Sequence, residues 1–84
     1  MKNEKIRNAC AAAVQVFDKL NRDDFAELKT NLEFCIGSFD FDKNPSGLIE
    51  FGKKAAEELT AFKAQHPRKV NKKIIENLEK YLNN

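Results

Sequence analysis

The sequence predicts an all-α fold, a four-helix antiparallel up-down bundle that forms one helical domain over residues 1–84. Three observations lead to this prediction. Apolar residues recur every three or four positions along most of the chain, which is the spacing of one helix face. Glycine and proline are scarce, with three and two residues, and no run favours a β-strand. The 84 residues suffice for one modest core. We expect helices at about 4–19, 22–38, 45–64 and 72–82.

The first two predicted helices carry mirrored apolar seams. The first seam, spaced four, three, four, three, consists of Ile6, Cys10, Ala13, Phe17 and Leu20. The second seam reverses this spacing and consists of Phe25, Leu28, Leu32, Cys35 and Phe39. A hairpin that turns near Asn21 pairs the seams in layers, with Ile6 opposite Phe39 at one end. The same register places Cys10 opposite Cys35.

Capping patterns predict where the helices begin and end. Asn3 and Asn21 are candidate N-caps of the first two helices, and Leu20 with Phe25 has the spacing of a hydrophobic staple. We expect the second helix to end near Gly37, either as a C′ residue with positive φ or in a fraying last turn. Phe34 lies outside the second seam, where we expect it to contact helix four.

The third and fourth predicted helices begin with similar capping patterns. Asn44 followed by Pro45 fits an N-cap and a proline at the first helical position. Asn71 is the candidate N-cap of the fourth helix, and Val70 should form a staple with Ile75. Residues 83–84 should fray. The apolar faces of these helices contain Leu48, Phe51, Ala55, Leu59 and Phe62, then Ile74, Leu78 and Tyr81 or Leu82.

Composition excludes several classes of protein and identifies no partner. The net charge is +2, with −2 on residues 1–42 and +4 on residues 43–84. No apolar stretch approaches the roughly 20 residues of a membrane helix, and no apolar segment follows the charged start of the chain. We therefore expect a cytoplasmic protein that does not bind a membrane. The excess of lysine over arginine, twelve to three, suggests a bacterial source.

The two cysteines allow two interpretations. Cys10 and Cys35 could form a disulfide or a redox pair, or they could pack as small buried thiols. The second reading is favoured, because the axes of packed helices lie about 8–10 Å apart and a reducing compartment disfavours disulfides. The chain has no Cys-x-x-Cys motif and a single histidine, so no zinc site is expected.

Residues 42–53 resemble the calcium loop of the EF-hand family. Asp42, Asn44 and Ser46 occupy ligand positions one, three and five, Gly47 occupies the turn position, and Ile49 and Glu50 follow at positions eight and nine. Lys53 departs from the pattern, since position twelve of the family carries a bidentate carboxylate. The resemblance implies a degenerate calcium loop. Helix capping by Asn44 is the competing explanation, and it starts the next helix near Pro45 rather than near Phe51.

A basic turn at residues 66–73 is the candidate binding site. Arg68, Lys69, Lys72 and Lys73 gather at the start of the fourth helix, where cations oppose the helix dipole. Together with free N–H groups at the helix end they could bind an anion or a nucleic-acid backbone. No aromatic residue is interleaved with them, so nucleic-acid binding is not favoured.

No catalytic, cofactor or metal residue is expected. The only histidine, His66, precedes a proline beside Arg68 and is expected to cap the third helix rather than act as a base. The sequence therefore predicts a non-catalytic helical module that is structural or binds an unknown protein, or a second copy of itself. Anion binding through the basic turn is the alternative. Exposure of Phe34 or Phe41 would indicate a partner surface.

Overall fold

The computed structural model describes residues 2–82, which form four helices around one core. The helices are α1 (Lys2–Leu20), α2 (Asp23–Asp42), α3 (Ser46–Gln65) and α4 (Lys72–Leu82). This confirms the predicted all-α four-helix bundle, and no strand occurs among residues 2–82. The expected fraying of residues 83–84 lies outside the described residues. Helix α1 packs against all three other helices, whereas α2 and α4 lie on opposite sides of the bundle.

Two ion pairs join α1 and α2 in the order expected for the predicted hairpin. Arg7 donates two hydrogen bonds to the carboxylate of Asp40, with Nε–Oδ1 at 3.1 Å and Nη2–Oδ2 at 2.9 Å. Further along, Lys29 donates to Asp18 at 2.8 Å. Each pair joins an early residue of one helix to a late residue of the other, as in helices that run in opposite directions. Ile6 and Phe39, beside the first pair, are both buried.

Aromatic rings continue the core from this hairpin into α3. The rings of Phe17 and Phe25 lie 4.9 Å apart between centroids, and Phe25 meets Phe62 edge-on at 5.6 Å. Because α1, α2 and α3 each contribute one of these rings, one aromatic cluster joins three helices at this end of the bundle. The buried residues of α4, namely Ile75, Leu78 and Leu82, complete the core.

Helix α2 extends one turn beyond its predicted end at residue 38. Gly37 lies inside the helix without positive φ, and Lys43 ends it in the left-handed region with φ 63°. The N–H of Lys43 donates to the carbonyl of Phe39 at 2.7 Å. The added turn carries the buried ring of Phe39 and the ion pair of Asp40, so tertiary contacts continue the helix past the glycine.

The turn between α1 and α2 differs from the prediction. Asn21 has φ 48° and donates its N–H to the carbonyl of Phe17 at 3.0 Å, so it ends α1 instead of capping α2. Arg22 occupies the N-cap position and makes no capping hydrogen bond through its side chain. Phe25 therefore stands at N3, one position short of the predicted staple. Asn3 is likewise not an N-cap, because α1 already includes Lys2.

The other two asparagines predicted as caps, Asn44 and Asn71, both accept hydrogen bonds at the start of a helix, but only Asn71 directly precedes its helix. Asn71 Oδ1 accepts the N–H of Lys73 at 2.8 Å. Val70 and Ile75, the predicted staple of this helix, are both buried. Asn44 Oδ1 accepts the N–H of Ser46 at 3.1 Å and its hydroxyl at 2.8 Å. Helix α3 nevertheless begins at Ser46 with Pro45 at the N-cap position, so the predicted cap is one residue early and Pro45 is not the first helical residue.

Two glycines let α3 approach the thiols of the hairpin. A Cβ atom at Gly47 would lie 2.7 Å from Sγ of Cys35. A Cβ at Gly52 would lie 3.2 Å from Sγ of Cys10 and 2.8 Å from Cδ1 of Leu82. No ordinary Cβ contact is as short as 2.7 or 2.8 Å, so a methyl group at either position forces a neighbour to move. Gly37 on α2 faces open space and provides a control.

We expect Gly47→Ala to lower the free energy of unfolding by about 1–3 kcal/mol, because the added methyl overpacks the contact with Cys35. Gly37→Ala should instead raise it by roughly 0.5–1 kcal/mol, because alanine is the better helix former and meets no neighbour. Urea unfolding followed by circular dichroism measures both changes.

The companion variant is Cys35→Ala, which removes the sulfur that blocks the new methyl group. In that background Gly47→Ala should no longer destabilise the protein. Equal effects of Gly47→Ala with and without Cys35 would show that the close contact does not control the packing of α3.

Candidate functional site

The outward side of α2 carries two exposed phenylalanines. The relative exposure of Phe34 is 77% and that of Phe41 is 91%, the two large apolar side chains exposed among the described residues. They are seven residues apart, so they lie about 10 Å from each other along the same side of the helix. Gly37 and Ser38 lie between them, also exposed. We call these four residues the phenylalanine face. Phe34 does not contact α4 as the sequence had suggested, because α4 lies on the opposite side of the bundle.

Negative charge predominates among the exposed residues of α2, the helix that carries the phenylalanine face. The exposed residues of α2 include six carboxylates and no cation, the carboxylates being Asp23, Asp24, Glu27, Glu33, Asp40 and Asp42. Lys29, the one basic residue of α2, is partly buried and paired with Asp18. Arg7 pairs with Asp40, and its hydrogen bond holds the pKa of that carboxyl below its usual value. The face is therefore apolar, with Glu33 and Asp42 as an acidic rim, and the exposed Lys43 follows Asp42 at the end of the helix.

The four residues of the predicted basic turn have different surroundings in the structure. Arg68, Lys69, Lys72 and Lys73 are all exposed, and Arg68 and Lys69 line a cleft that does not include Lys72 or Lys73. Lys72 Nζ lies 3.5 Å from Glu76 on the next turn of α4. The N–H of Lys73 is already bonded to Asn71, and the N–H of Ile74 donates to the Asn71 carbonyl at 3.1 Å. Two N–H groups at this helix end are thus already in use.

Arg68 and Lys69 instead line a cleft with residues from the turn between α1 and α2. This basic cleft has a volume of about 390 Å³ and is lined by Lys19, Leu20, Arg22, Phe62, His66, Arg68 and Lys69. No carboxylate is among these lining residues. Lys63 holds the α3–α4 turn in place by donating to the carbonyls of Pro67 and Val70 at 3.0 and 3.1 Å.

The floor of the basic cleft is aromatic. The ring of His66 stacks on Phe62 with 4.8 Å between centroids, and Arg22 Cζ lies 5.3 Å from the Phe62 centroid. Arg22 also pairs with Asp24 at 2.8 Å. The backbone N–H of His66 donates to the carbonyl of Phe62, so His66 ends α3 as the sequence indicated. Sequence analysis missed Lys19 and Arg22 because they belong to a different turn, which only the bundle brings beside residues 66–69.

The two cysteines are free and buried. Cys10 makes a weak hydrogen bond from Sγ to the carbonyl of Leu48 at 3.7 Å. The pKa of Cys10 is raised to about 12, mainly because the thiol is buried and to a smaller extent because Cys35 is near. The pKa of Cys35 is also raised, mainly by burial and to a smaller extent by the negative charge of Glu50. Both groups therefore remain protonated thiols at neutral pH, as the favoured reading of the sequence predicts.

The loop required by the EF-hand resemblance is not formed. Residues 46–53 belong to α3, and only residues 43–45 separate it from α2. Asp42, the proposed first ligand, is the last residue of α2 and accepts the N–H of Asn44 at 2.9 Å. Asn44 and Ser46, two further proposed ligands, are instead hydrogen-bonded to each other at the start of α3. Within residues 2–82 no group of three or more His, Cys, Asp or Glu side chains is arranged to hold a metal.

Comparison with family models, with curated proteins and with solved structures gave no significant match. Within residues 2–82, no helix combines the length and the apolar character that crossing a membrane requires. Function must therefore be inferred from the two surfaces described above, the phenylalanine face and the basic cleft.

We expect the folded protein to resist alkylation of Cys10. A rise of its pKa from 9.0 to about 12 lowers the thiolate fraction near pH 8 by up to about a thousandfold. Iodoacetamide labelling of the Cys35→Ala variant, which retains Cys10 alone, measures this against the same protein unfolded in urea. Labelling at equal rates in the two states would contradict the burial of this thiol.

The raised pKa of Cys10 also predicts that the stability of the protein depends on pH. The pKa of Cys10 is higher in the folded than in the unfolded chain, so its contribution to stability is complete below about pH 9 and is lost as the pH rises towards 12. A Cys10→Ala variant should lose less stability over this interval than the parent protein, when both are compared by urea unfolding. Equal losses of stability in the variant and in the parent protein would contradict the raised pKa of Cys10.

Proposed function

We propose that this protein is a non-catalytic helical module that binds another protein through the phenylalanine face of α2. The observation that carries the proposal is the exposure of Phe34 and Phe41 on one side of a helix whose opposite side is buried. Burying one such side chain contributes about 1.5–3 kcal/mol relative to leaving it exposed. A pair of them, aligned by the helix, can anchor an interface.

The shape of this face suits a helix as the partner. Gly37 and Ser38 are small and lie between the two rings, and a Cβ at Gly37 would meet no atom within 4 Å. A partner helix could therefore approach the backbone of α2 at its middle while its side chains pack against Phe34 and Phe41. Recognition of an amphipathic helix by anchors at this spacing is a common mode of binding.

The charge of α2 determines the chemistry of the partner. The exposed carboxylates include Glu33 and Asp42, which flank the face on its two sides. A second copy bound through the same face would bring like charges together, which is unfavourable. A helix with an apolar stripe bordered by lysine or arginine would bring opposite charges instead. We therefore assign the face to a cationic amphipathic helix of a partner protein.

The test is an NMR titration of the ¹⁵N-labelled protein with a synthetic amphipathic helix of leucine and lysine. Chemical-shift changes should centre on residues 33–42 and decrease as salt is added, because charge contributes to the encounter. Phe34→Ser combined with Phe41→Ser should abolish them while the circular dichroism spectrum is retained. A peptide with glutamate in place of lysine should bind more weakly.

Matched charge variants separate the acidic rim from general attraction to negative charge. Glu33→Gln with Asp42→Asn should weaken binding of the lysine peptide more than Glu57→Gln with Glu58→Gln, which removes two exposed carboxylates from α3. Equal weakening would contradict the proposed surface. A dimer in light scattering that the phenylalanine substitutions dissociate would overturn the choice of partner and assign the face to a second copy.

A further inference from the structure

The basic cleft combines two turns that are distant in sequence. Lys19, Leu20 and Arg22 come from the end of α1 and the turn after it, and the other lining residues come from the end of α3 and the turn after that. Its volume, about 390 Å³, lies within the range of about 300–1,000 Å³ found for small-molecule sites. The cleft is at the end of the bundle, away from the phenylalanine face, because residues 34–41 belong to the opposite half of α2.

Helix ends alone do not account for this concentration of positive charge. Lys19 lies in the last turn of α1, where it complements the negative end of the helix dipole. Arg68 and Lys69 lie beyond Pro67, outside any helix. With no carboxylate among the lining residues, the cleft presents Lys19, Arg68 and Lys69 to one volume of solvent, and Arg22, which is paired with Asp24, stands beside them. Low-dielectric walls formed by Leu20 and Phe62 strengthen their field.

The aromatic floor adds a second recognition element. His66 is exposed, and its ring lies on Phe62 with an angle of 35° between their planes. The guanidinium of Arg22 stands over the same phenylalanine ring. A planar group entering the cleft would find an imidazole, a phenyl ring and a guanidinium for stacking, with Arg68 and Lys69 beside them. Nucleobases stack favourably on aromatic rings and on guanidinium groups.

The surroundings of the cleft favour a small ligand over a long strand. A nucleic-acid backbone needs a track of cations that continues along the surface. The next cations of the chain, Lys72 and Lys73, do not line the cleft, and Lys72 is paired with Glu76. On the other side of the cleft, α2 begins with Asp23 and Asp24 in its first turn. The positive surface is therefore local.

From these observations we infer that the basic cleft binds a small ligand that carries a diphosphate group and a planar ring. A nucleoside diphosphate is the simplest compound of this class. Arg68, Lys69 and Lys19 would contact the phosphates, and the ring would stack at His66 and Phe62. The proposed ligand site does not depend on the proposed binding of a partner protein.

The test uses ADP, pyrophosphate and adenosine as probes, with calorimetry and NMR on the full chain. ADP should bind with shift changes at residues 19–22 and 62–69, more tightly than pyrophosphate, and adenosine alone should bind weakest. Arg68→Ala with Lys69→Ala should weaken ADP binding by about tenfold or more, since each loses a charge-assisted hydrogen bond. Lys72→Ala with Lys73→Ala, which removes the same charge outside the cleft, should change it by less than about twofold.

Three results would overturn the inference. Equal weakening by the two double variants would show that ADP responds only to net charge. Equal affinity for pyrophosphate and ADP would remove the ring from the recognised ligand. Tighter binding of a single-stranded oligodeoxyadenosine, with shift changes that spread to Lys72 and Lys73, would assign the basic surface to nucleic acid instead.

Discussion

The close approach of α3 to the thiols of α1 and α2 is the constraint on which the rest of the structure depends. Gly52 lies against Cys10 and Leu82, and Gly47 lies against Cys35. At these positions a missing side chain on one helix makes room for a sulfur on another. Because α1 also contacts α4, the position of α3 relative to the hairpin sets the geometry of the whole bundle. Both candidate surfaces therefore rest on the same packing.

The two surfaces differ in charge and in the kind of binding they favour. The phenylalanine face is apolar with carboxylates around it, and it lies on a helix that is exposed on one side. The basic cleft is concave, and its cations surround an aromatic floor. A protein helix can cover the first surface along its length, whereas the second offers a limited volume to a small anion. Their separation in the bundle allows both to be occupied in the same molecule.

Much of the fold could be predicted because apolar spacing and local capping act over a few residues. The mirrored seams of α1 and α2 predicted a hairpin, and the pairs Arg7–Asp40 and Asp18–Lys29 join the two helices in the order that a hairpin requires. Asn71 was recognised as a cap from its neighbours alone. The prediction failed at residue 38, where the helix continues through Gly37 because the next turn carries Phe39 into the core. It failed again at Asn21, whose positive φ ends α1.

The candidate sites were less predictable, because each depends on residues that the chain does not place together. Sequence alone identified Arg68 and Lys69 as a basic cluster, and it named Phe34 and Phe41 as the residues whose exposure would matter. The choice of Arg68 and Lys69 over Lys72 and Lys73 required the tertiary structure, since only packing brings Lys19 and Arg22 beside the α3–α4 turn. What the sequence by itself determined is the helical class and the pairing of α1 with α2, because periodicity and caps are local properties. Tertiary structure decided the exposure of α2 and the formation of the cleft, because both depend on which helix faces remain uncovered after packing.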